Sequence, residues 1–512
     1  MRLTMKMRVV TMLAAACAMA PSDVRAQKTP DLAAFDKYVA QAARDWRVPG
    51  LAIAIVHDDS LVFAKGYGVL EIGKSAPATE HTRFAIGSTT KAMTTAALAM
   101  LIDEGKLHWD DRVIDYLPEL RLYDAYATHE LTVRDLLTHR SGLPNTDLLW
   151  AIPQNNYSIT EMMRRLRYVP PESSFRSHWD YQNVVYAIAG LLVERIAGMP
   201  WETFIRTRIF APLQMTESIP LVSLLVGQPN VAVPHDLSHD TVHTVAVRTT
   251  DLIAPAGSVW SSVSDMSKWM RFMLDSGRVG TKRLIQPATF EEIVAPQMRA
   301  PMEEYPALQL ARPHFFSYAL GWFVQDYHGQ TVWMHTGSID GMIAIIGLMP
   351  GTRTGVYVLA NLDHAEVRHA LMYEAFDLYN GTPRALARDW SADLKKLFDA
   401  RRAAAVKAAA AAPKPPAGTH PSLPLEKYAG TYADSTYGAV VVTLANGSLR
   451  AKFGNWDIGE LESAFYDTFK SRKSDPLQGI TDVTFVPDGA GGISAVQLFG
   501  QSFSRATPSD KK

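Results

Sequence analysis

Three groups of residues in this 512-residue chain have the types and spacing to carry out acyl-transfer chemistry. In Arg83-Phe84-Ala85-Ile86-Gly87-Ser88-Thr89-Thr90-Lys91, a serine precedes a lysine by three positions at the start of an apolar run that continues to Ile102. Residues three apart share a helix face. The Lys91 amine therefore projects beside the Ser88 hydroxyl and can accept its proton, while the helix dipole favours developing negative charge. The pattern is short and recurs as Ser509-Asp510-Lys511-Lys512 in a polar tail. Alone, Ser88 reads equally as a helix cap and Lys91 as a solvated first-turn lysine.

The second group is Tyr181-Gln182-Asn183, the single Tyr-x-Asn of the chain, directly before the apolar run Val184 to Ile196. A tyrosine beside a lysine ammonium has its charged form favoured, so Tyr181 can act as a base toward the serine or the leaving group, and Asn183 can bond a substrate carbonyl. The plainer reading is a tyrosine and an asparagine that cap a helix. The third group, His335-Thr336-Gly337-Ser338, follows the strand-like Thr331-Val332-Trp333-Met334. Gly337 lets a substrate lie close against a strand edge, and the Ser338 N–H can form an oxyanion hole with the Ser88 N–H. Taken alone, His335 reads as structural.

These groups need elements to hold them. Asp31 to Trp46 has helical spacing through Leu32, Phe35, Tyr38, Val39 and Ala42, and Val48-Pro49-Gly50 stops it. Leu51 to Val56 and Leu61 to Ala64, turning at Asp58-Asp59, read as antiparallel strands ahead of the Ser88 helix, which Gly105 ends. Leu107 to about Phe210 reads as a mainly helical insertion with a capped helix at Leu131 to Leu137. Strands return at Thr331 to Met334, Met342 to Leu348 and Gly355 to Leu359, before a helix from Ala365 to Tyr379. The expected fold class is α/β (α+β), one antiparallel sheet built from both chain ends and flanked by helices.

Residues 27–400 hold all three groups. Residues 401–421 have the Ala, Pro and Lys content of a linker, and residues 422–508 carry short strands with hairpin signals at Asn446-Gly447 and Asp488-Gly489, a small all-β domain. By this reading the linker keeps the β domain apart from the three groups.

Residues 1–26 read as a secretory signal: Arg2, Lys6 and Arg8, then the apolar Val9 to Ala20, then a cleavage site at Val24-Arg25-Ala26. The expected location is periplasmic or secreted. Cleavage removes Cys17, the only cysteine, which excludes disulfides and thiol catalysis. A lipid anchor on Cys17 is the weaker reading, because Ala14-Ala15-Ala16 lacks the usual leucine three before the cysteine. Loss of four basic residues and Asp23 leaves a net charge of about -4. No concentrated basic surface suits nucleic acid, and no later apolar run is long enough to span a bilayer.

In the order Ser-x-x-Lys, Tyr-x-Asn, His-Thr-Gly, the three groups resemble the serine β-lactamase and penicillin-binding protein superfamily, in the branch of class C β-lactamases, D-stereospecific peptidases and related esterases. The resemblance runs from about Val48 to Tyr379, with family-like turns at Gly66-Tyr67-Gly68, Ser141-Gly142-Leu143-Pro144 and Pro255-Ala256-Gly257. It implies Ser88 as acylated nucleophile, Lys91 and Tyr181 as the proton-transfer pair, Asn183 as a substrate contact and His335-Thr336-Gly337 as the cleft lining. No cofactor is implied. His335 stands where many β-lactamases carry a lysine, as in the peptidase-like relatives. The C-terminal domain resembles the lipocalin-like β-barrels appended to some of these hydrolases.

The expected activity is an exported serine hydrolase acting on small peptides or amides, including those with D-residues. A carboxylesterase is the alternative within the same chemistry. A sensor acylated by β-lactams or peptidoglycan stems without turnover is the rival from another class. An ordinary imidazole pKa near 6.5 would make His335 a cation at low pH, able to read a substrate carboxylate. His235, His239 and His243 have the spacing of a helical metal stripe, but Pro234 and the run Thr241 to Val247 indicate extended chain, where such spacing does not converge on one ion.

Overall fold

Alternation of apolar residues between two buried faces organises the main sheet. In the computed structural model, which describes residues 30–151, 157–238, 240–380, 382, 387–411, 416, 418–472 and 480–506, eight strands form one antiparallel sheet. Their spatial order is Ser60–Gly68, Gly50–His57, Thr354–Ala360, Met342–Met349, Gln330–Ile339, Phe323–Tyr327, Phe316–Tyr318, Met298–Arg299. The two chain ends meet in the register Leu51 to Ala360 through His57 to Thr354. Leu51, Ile53 and Ile55 pack with Phe35 and Val39 of the helix Leu32–Asp45 and with the helix Val367–Asn380. Ala52, Ala54 and Val56 face the opposite layer, which holds the helices Lys91–Asp103, Asn183–Ala197 and Val263–Leu274. Burial on both faces explains why the central strands read as unbroken apolar runs.

Several expected boundaries move. His335 to Ser338 lie inside the ten-residue strand Gln330–Ile339 rather than beyond its end. The short strands at Met298, Phe316 and Phe323 gave no clear alternation in sequence. The helix Trp390–Ala411 runs through the first half of the segment read as linker, because alanine loses no side-chain entropy in a helix.

After that helix, eight strands from Gly430–Asp434 to Gln501–Arg505 close into a barrel. Tyr432, Val440, Phe453, Phe485, Val496 and Phe503 are buried within it. The barrel does not stand apart. Arg165, at the end of the helix Ile159–Arg165 in the insertion, donates to the carbonyls of Ser435 and Thr436, each at 3.1 Å.

His235 lies in the hairpin His235–Ser238/Thr241–Thr244, extended as expected, and its imidazole is buried between the Ile72 N–H and the Asn361 carbonyl, each at 3.0 Å. The signal segment with Cys17, His239 and the Ser509–Lys512 tail lie outside the described residues.

Candidate active site

Ser88 sits in a single 3₁₀ turn, Gly87–Thr90, that runs directly into the buried helix Lys91–Asp103. The strand Gln330–Ile339 crosses this turn so closely that two positions must be glycine. Gly87 has φ +51, and a Cβ there would lie 2.7 Å from the Ser338 nitrogen; a Cβ on Gly337 would overlap the Ile86 carbonyl oxygen. The crossing brings the Ser88 and Ser338 amides to one place.

The Lys91 side chain is fully buried, with Nζ 3.0 Å from Ser88 Oγ, 2.7 Å from Asn183 Oδ1 and 3.0 Å from the Ala256 carbonyl oxygen. Burial brings its pKa from 10.5 down to about 7, opposed only in part by the charge of Asp147. A neutral amine has two N–H bonds and one lone pair. The Asn183 and Ala256 oxygens can only accept, so they take the two hydrogens and leave the lone pair for the Ser88 hydroxyl proton.

Tyr181 lies with its ring centre 4.7 Å from Lys91 Nζ and 4.3 Å from that of His139. The expectation of a favoured phenolate is corrected here. Burial holds the phenol well above its ordinary range, outweighing the influence of the Ser88 hydroxyl, which acts the other way. As a neutral phenol Tyr181 can donate or relay a proton, and the Lys91 amine can serve as the basic group of the pair. Asn183 opens the helix Asn183–Ala197, with Oδ1 on Lys91 and Nδ2 3.0 Å from Asp147 Oδ2.

His335 also departs from expectation. It is 1% exposed, and its Nδ1 lies 2.6 Å from the Thr336 carbonyl, which can only accept. Nδ1 therefore carries the proton, and Nε2 accepts from the Tyr318 hydroxyl at 3.0 Å. Burial and then the nearby Lys91 push its pKa down to about 3, so it is no cation at ordinary pH. The Thr336 hydroxyl lies 2.8 Å from that of Tyr305. Beneath the strand, the buried Arg368 donates to the Gly337 carbonyl at 2.7 Å and to Ser338 Oγ at 2.9 Å, and pairs with Glu366 at 2.8 Å.

Sequence reasoning missed Asp147, Tyr318 and Arg368. Asp147 accepts from Trp150 Nε1 at 2.8 Å as well as from Asn183. Its only local signal is a polar turn after Leu143-Pro144, which says nothing of a lysine far along the chain. Together the groups can move a proton from Ser88 to Lys91, stabilise an oxyanion with two amides, and protonate a leaving group.

Comparison with known proteins bears on the fold and the family. The chain is 28% identical over 460 residues to the unguisins hydrolase ungD of Aspergillus violaceofuscus (strain CBS 115571), covering 81% of this chain and 78% of that one. In fold it is similar to an octameric penicillin-binding protein homologue from Pyrococcus abyssi, with TM-score 0.59, 20% identity, and 92% and 99% of the two chains covered. A D-stereospecific amidohydrolase from Streptomyces sp. matches with TM-score 0.55, 22% identity, and 69% and 100% covered. Residues 414–511 match a domain of unknown function, DUF3471. The beta-lactamase family model matches residues 35–379, and the chain belongs to that family of serine hydrolases.

Proposed function

We propose that this protein is an exported amidase or peptidase that works through an acyl-enzyme on Ser88. The observation that carries the reading is the hydrogen-bond inventory of Lys91: two carbonyl acceptors occupy its N–H bonds, and its lone pair is left facing Ser88 Oγ at 3.0 Å. Ser88 Oγ attacks the substrate carbonyl carbon as Lys91 takes the hydroxyl proton. The Ser88 and Ser338 amides hold the resulting oxyanion. The proton passes through the neutral Tyr181 to the leaving nitrogen, the C–N bond breaks, and the amine departs. Water then attacks the acyl-enzyme carbonyl, giving its proton to Lys91; as the C–O bond to Ser88 breaks, Lys91 returns that proton to Ser88 Oγ, which releases the acid and restores the neutral amine.

Amide substrates are favoured over esters because relatives in sequence and in fold are named as an unguisins hydrolase and a D-stereospecific amidohydrolase. The test is hydrolysis of chromogenic D- and L-amino-acid amides and matched esters by wild type and Ser88→Ala. Steady, Ser88-dependent release from amides is expected. Release from esters alone would make it an esterase, and one equivalent of product with no further turnover would make it an acylated sensor.

A further inference from the structure

His139 is a titratable side chain that the mechanism above does not use, although it is fully buried against Tyr181. It follows the helix Val133–Leu137 in a left-handed backbone conformation, with φ +56. Its main chain and its ring both hold the segment that carries Tyr181. The His139 carbonyl accepts the Asp180 N–H at 2.7 Å, and His139 Nδ1 accepts the Gln182 N–H at 3.0 Å. One residue therefore bonds the backbone on either side of Tyr181. The Gln182 side chain is tied to the loop that follows His139: Nε2 donates to the Leu143 carbonyl at 2.9 Å, and Oε1 accepts from the Thr146 hydroxyl at 3.1 Å. The imidazole also lies against the phenol, with ring centres 4.3 Å apart and planes inclined by 36°.

These contacts fix the form of the imidazole. A backbone N–H only donates, so Nδ1 supplies a lone pair, and the ring is neutral with its proton on Nε2. Burial, then the neighbouring Lys91 and His335, hold its pKa well below the ordinary value and keep it in that form. Tyr318, Tyr186 and Trp179 pack around it with ring centres 4.7, 5.2 and 5.8 Å away, and Nε2 has no hydrogen-bond partner among the described residues. A buried N–H left unpaired opposes folding. A phenyl ring would fill the same aromatic surroundings without that penalty, but it could not accept the Gln182 N–H. The bond at Nδ1 is what an imidazole supplies here and an apolar ring does not.

We propose that His139 is a positioning residue for Tyr181, holding the phenol hydroxyl within reach of the leaving group through the Gln182 bond and the ring contact. The inference rests on the reading above, in which the neutral Tyr181 passes a proton to the leaving nitrogen. Proton transfer needs donor and acceptor within hydrogen-bond reach, and a displacement of about 1 Å costs on the order of a hundred-fold in rate. His139 itself touches neither the Ser88 hydroxyl nor the substrate; it acts through Tyr181.

The test uses the full chain and compares two leaving groups on one acyl group. The p-nitroanilide of N-acetyl-D-alanine needs a proton on its leaving nitrogen, whereas the p-nitrophenyl ester expels a stable anion that needs none. The readout is the anilide-to-ester ratio of kcat/KM, with the ethyl ester replacing the anilide if wild type cleaves esters alone. Tyr181→Phe should lower the ratio about a hundred-fold. His139→Phe keeps a ring but removes the acceptor, and should lower the ratio about ten-fold through kcat, with KM within about three-fold of wild type. His139→Gln, whose amide reaches past the Nδ1 position, should do the same and takes the place of His139→Phe if that variant does not fold. His139→Asn, which sets an oxygen near the Nδ1 position and tolerates a positive φ, should restore most of the ratio. In the Tyr181→Phe background, His139→Phe should leave the ratio unchanged. Equal losses on both substrates in the His139 variants, with circular dichroism showing native folding, would mark a merely structural residue and overturn the proposal, as would a His139→Asn ratio no higher than that of His139→Phe. A Tyr181→Phe ratio equal to that of wild type, or a wild type that cleaves neither the anilide nor the ethyl ester, would overturn the reading of Tyr181, and this proposal with it.

Discussion

Lys91 Nζ and Asn183 Oδ1 lie 2.7 Å apart across 92 positions of sequence. The contact fixes the direction of the amine lone pair, and burial sets the amine's proton affinity at about 7. In the proposed mechanism the neutral amine is the working form. Amide or ester hydrolysis should therefore rise with pH to half its plateau in kcat/KM near pH 7. Lys91→Met should lose about a thousand-fold in kcat. A wild-type profile that falls through pH 7 would assign the base elsewhere.

The same burial makes Lys91 costly to the fold. The unfolded chain binds its proton up to about 10.5, whereas the folded chain releases it near 7. Between those values the unfolded state holds more protons, so stability rises as pH is raised through this window. Lys91→Met removes the cost and should be more stable than wild type at pH 7 by on the order of 3 kcal/mol, a gap that narrows toward pH 10 in urea titrations.

Asp147 opposes the depression of Lys91. Asp147→Asn withdraws a negative charge, so the midpoint of the pH–rate profile should move down by about half a unit to one unit. A midpoint that moves up would mean that the carboxylate does not act on the amine through its charge.

His335 should be silent to pH. Held neutral between the Thr336 carbonyl and the Tyr318 hydroxyl, it carries no charge between pH 5.5 and 8.5. The ratio of kcat/KM for a carboxylate-bearing substrate to that for its methyl ester should be flat over this range once substrate ionisation is complete. A step near pH 6.5, absent in His335→Gln, would show that substrate binding exposes and charges the imidazole.

Gly337→Ala should abolish activity, because the added methyl overlaps the Ile86 carbonyl oxygen and forces the strand away from the Ser88 turn. Thermal stability should fall by about 1–3 kcal/mol, the usual cost of overpacking. A variant that kept wild-type kcat would show that the Ser88 and Ser338 amides need not be held together.

The Ser88–Lys91 pair was legible in sequence because its geometry is local: three residues along one helix turn decide it, whatever the rest of the chain does. The same locality made the paired strands near Asp58-Asp59 and the Asn446-Gly447 hairpin legible, both turns having positive φ at their two central residues. Tyr181, Asn183 and His335 could be picked out by motif, but their protonation could not. Proton affinity depends on desolvation and on charges brought from distant segments, so the expected phenolate at Tyr181 and the expected charging of His335 below pH 6.5 gave way to neutral groups once both were buried around Lys91. Asp147 and Arg368 left no motif, since each acts on a partner that only the fold brings near. Alanine content suggested a linker where a helix forms, because the same residues suit both. The docking of the barrel turn at Ser435 and Thr436 on Arg165 was decided by tertiary packing alone, in contacts more than 250 positions apart that no local pattern records.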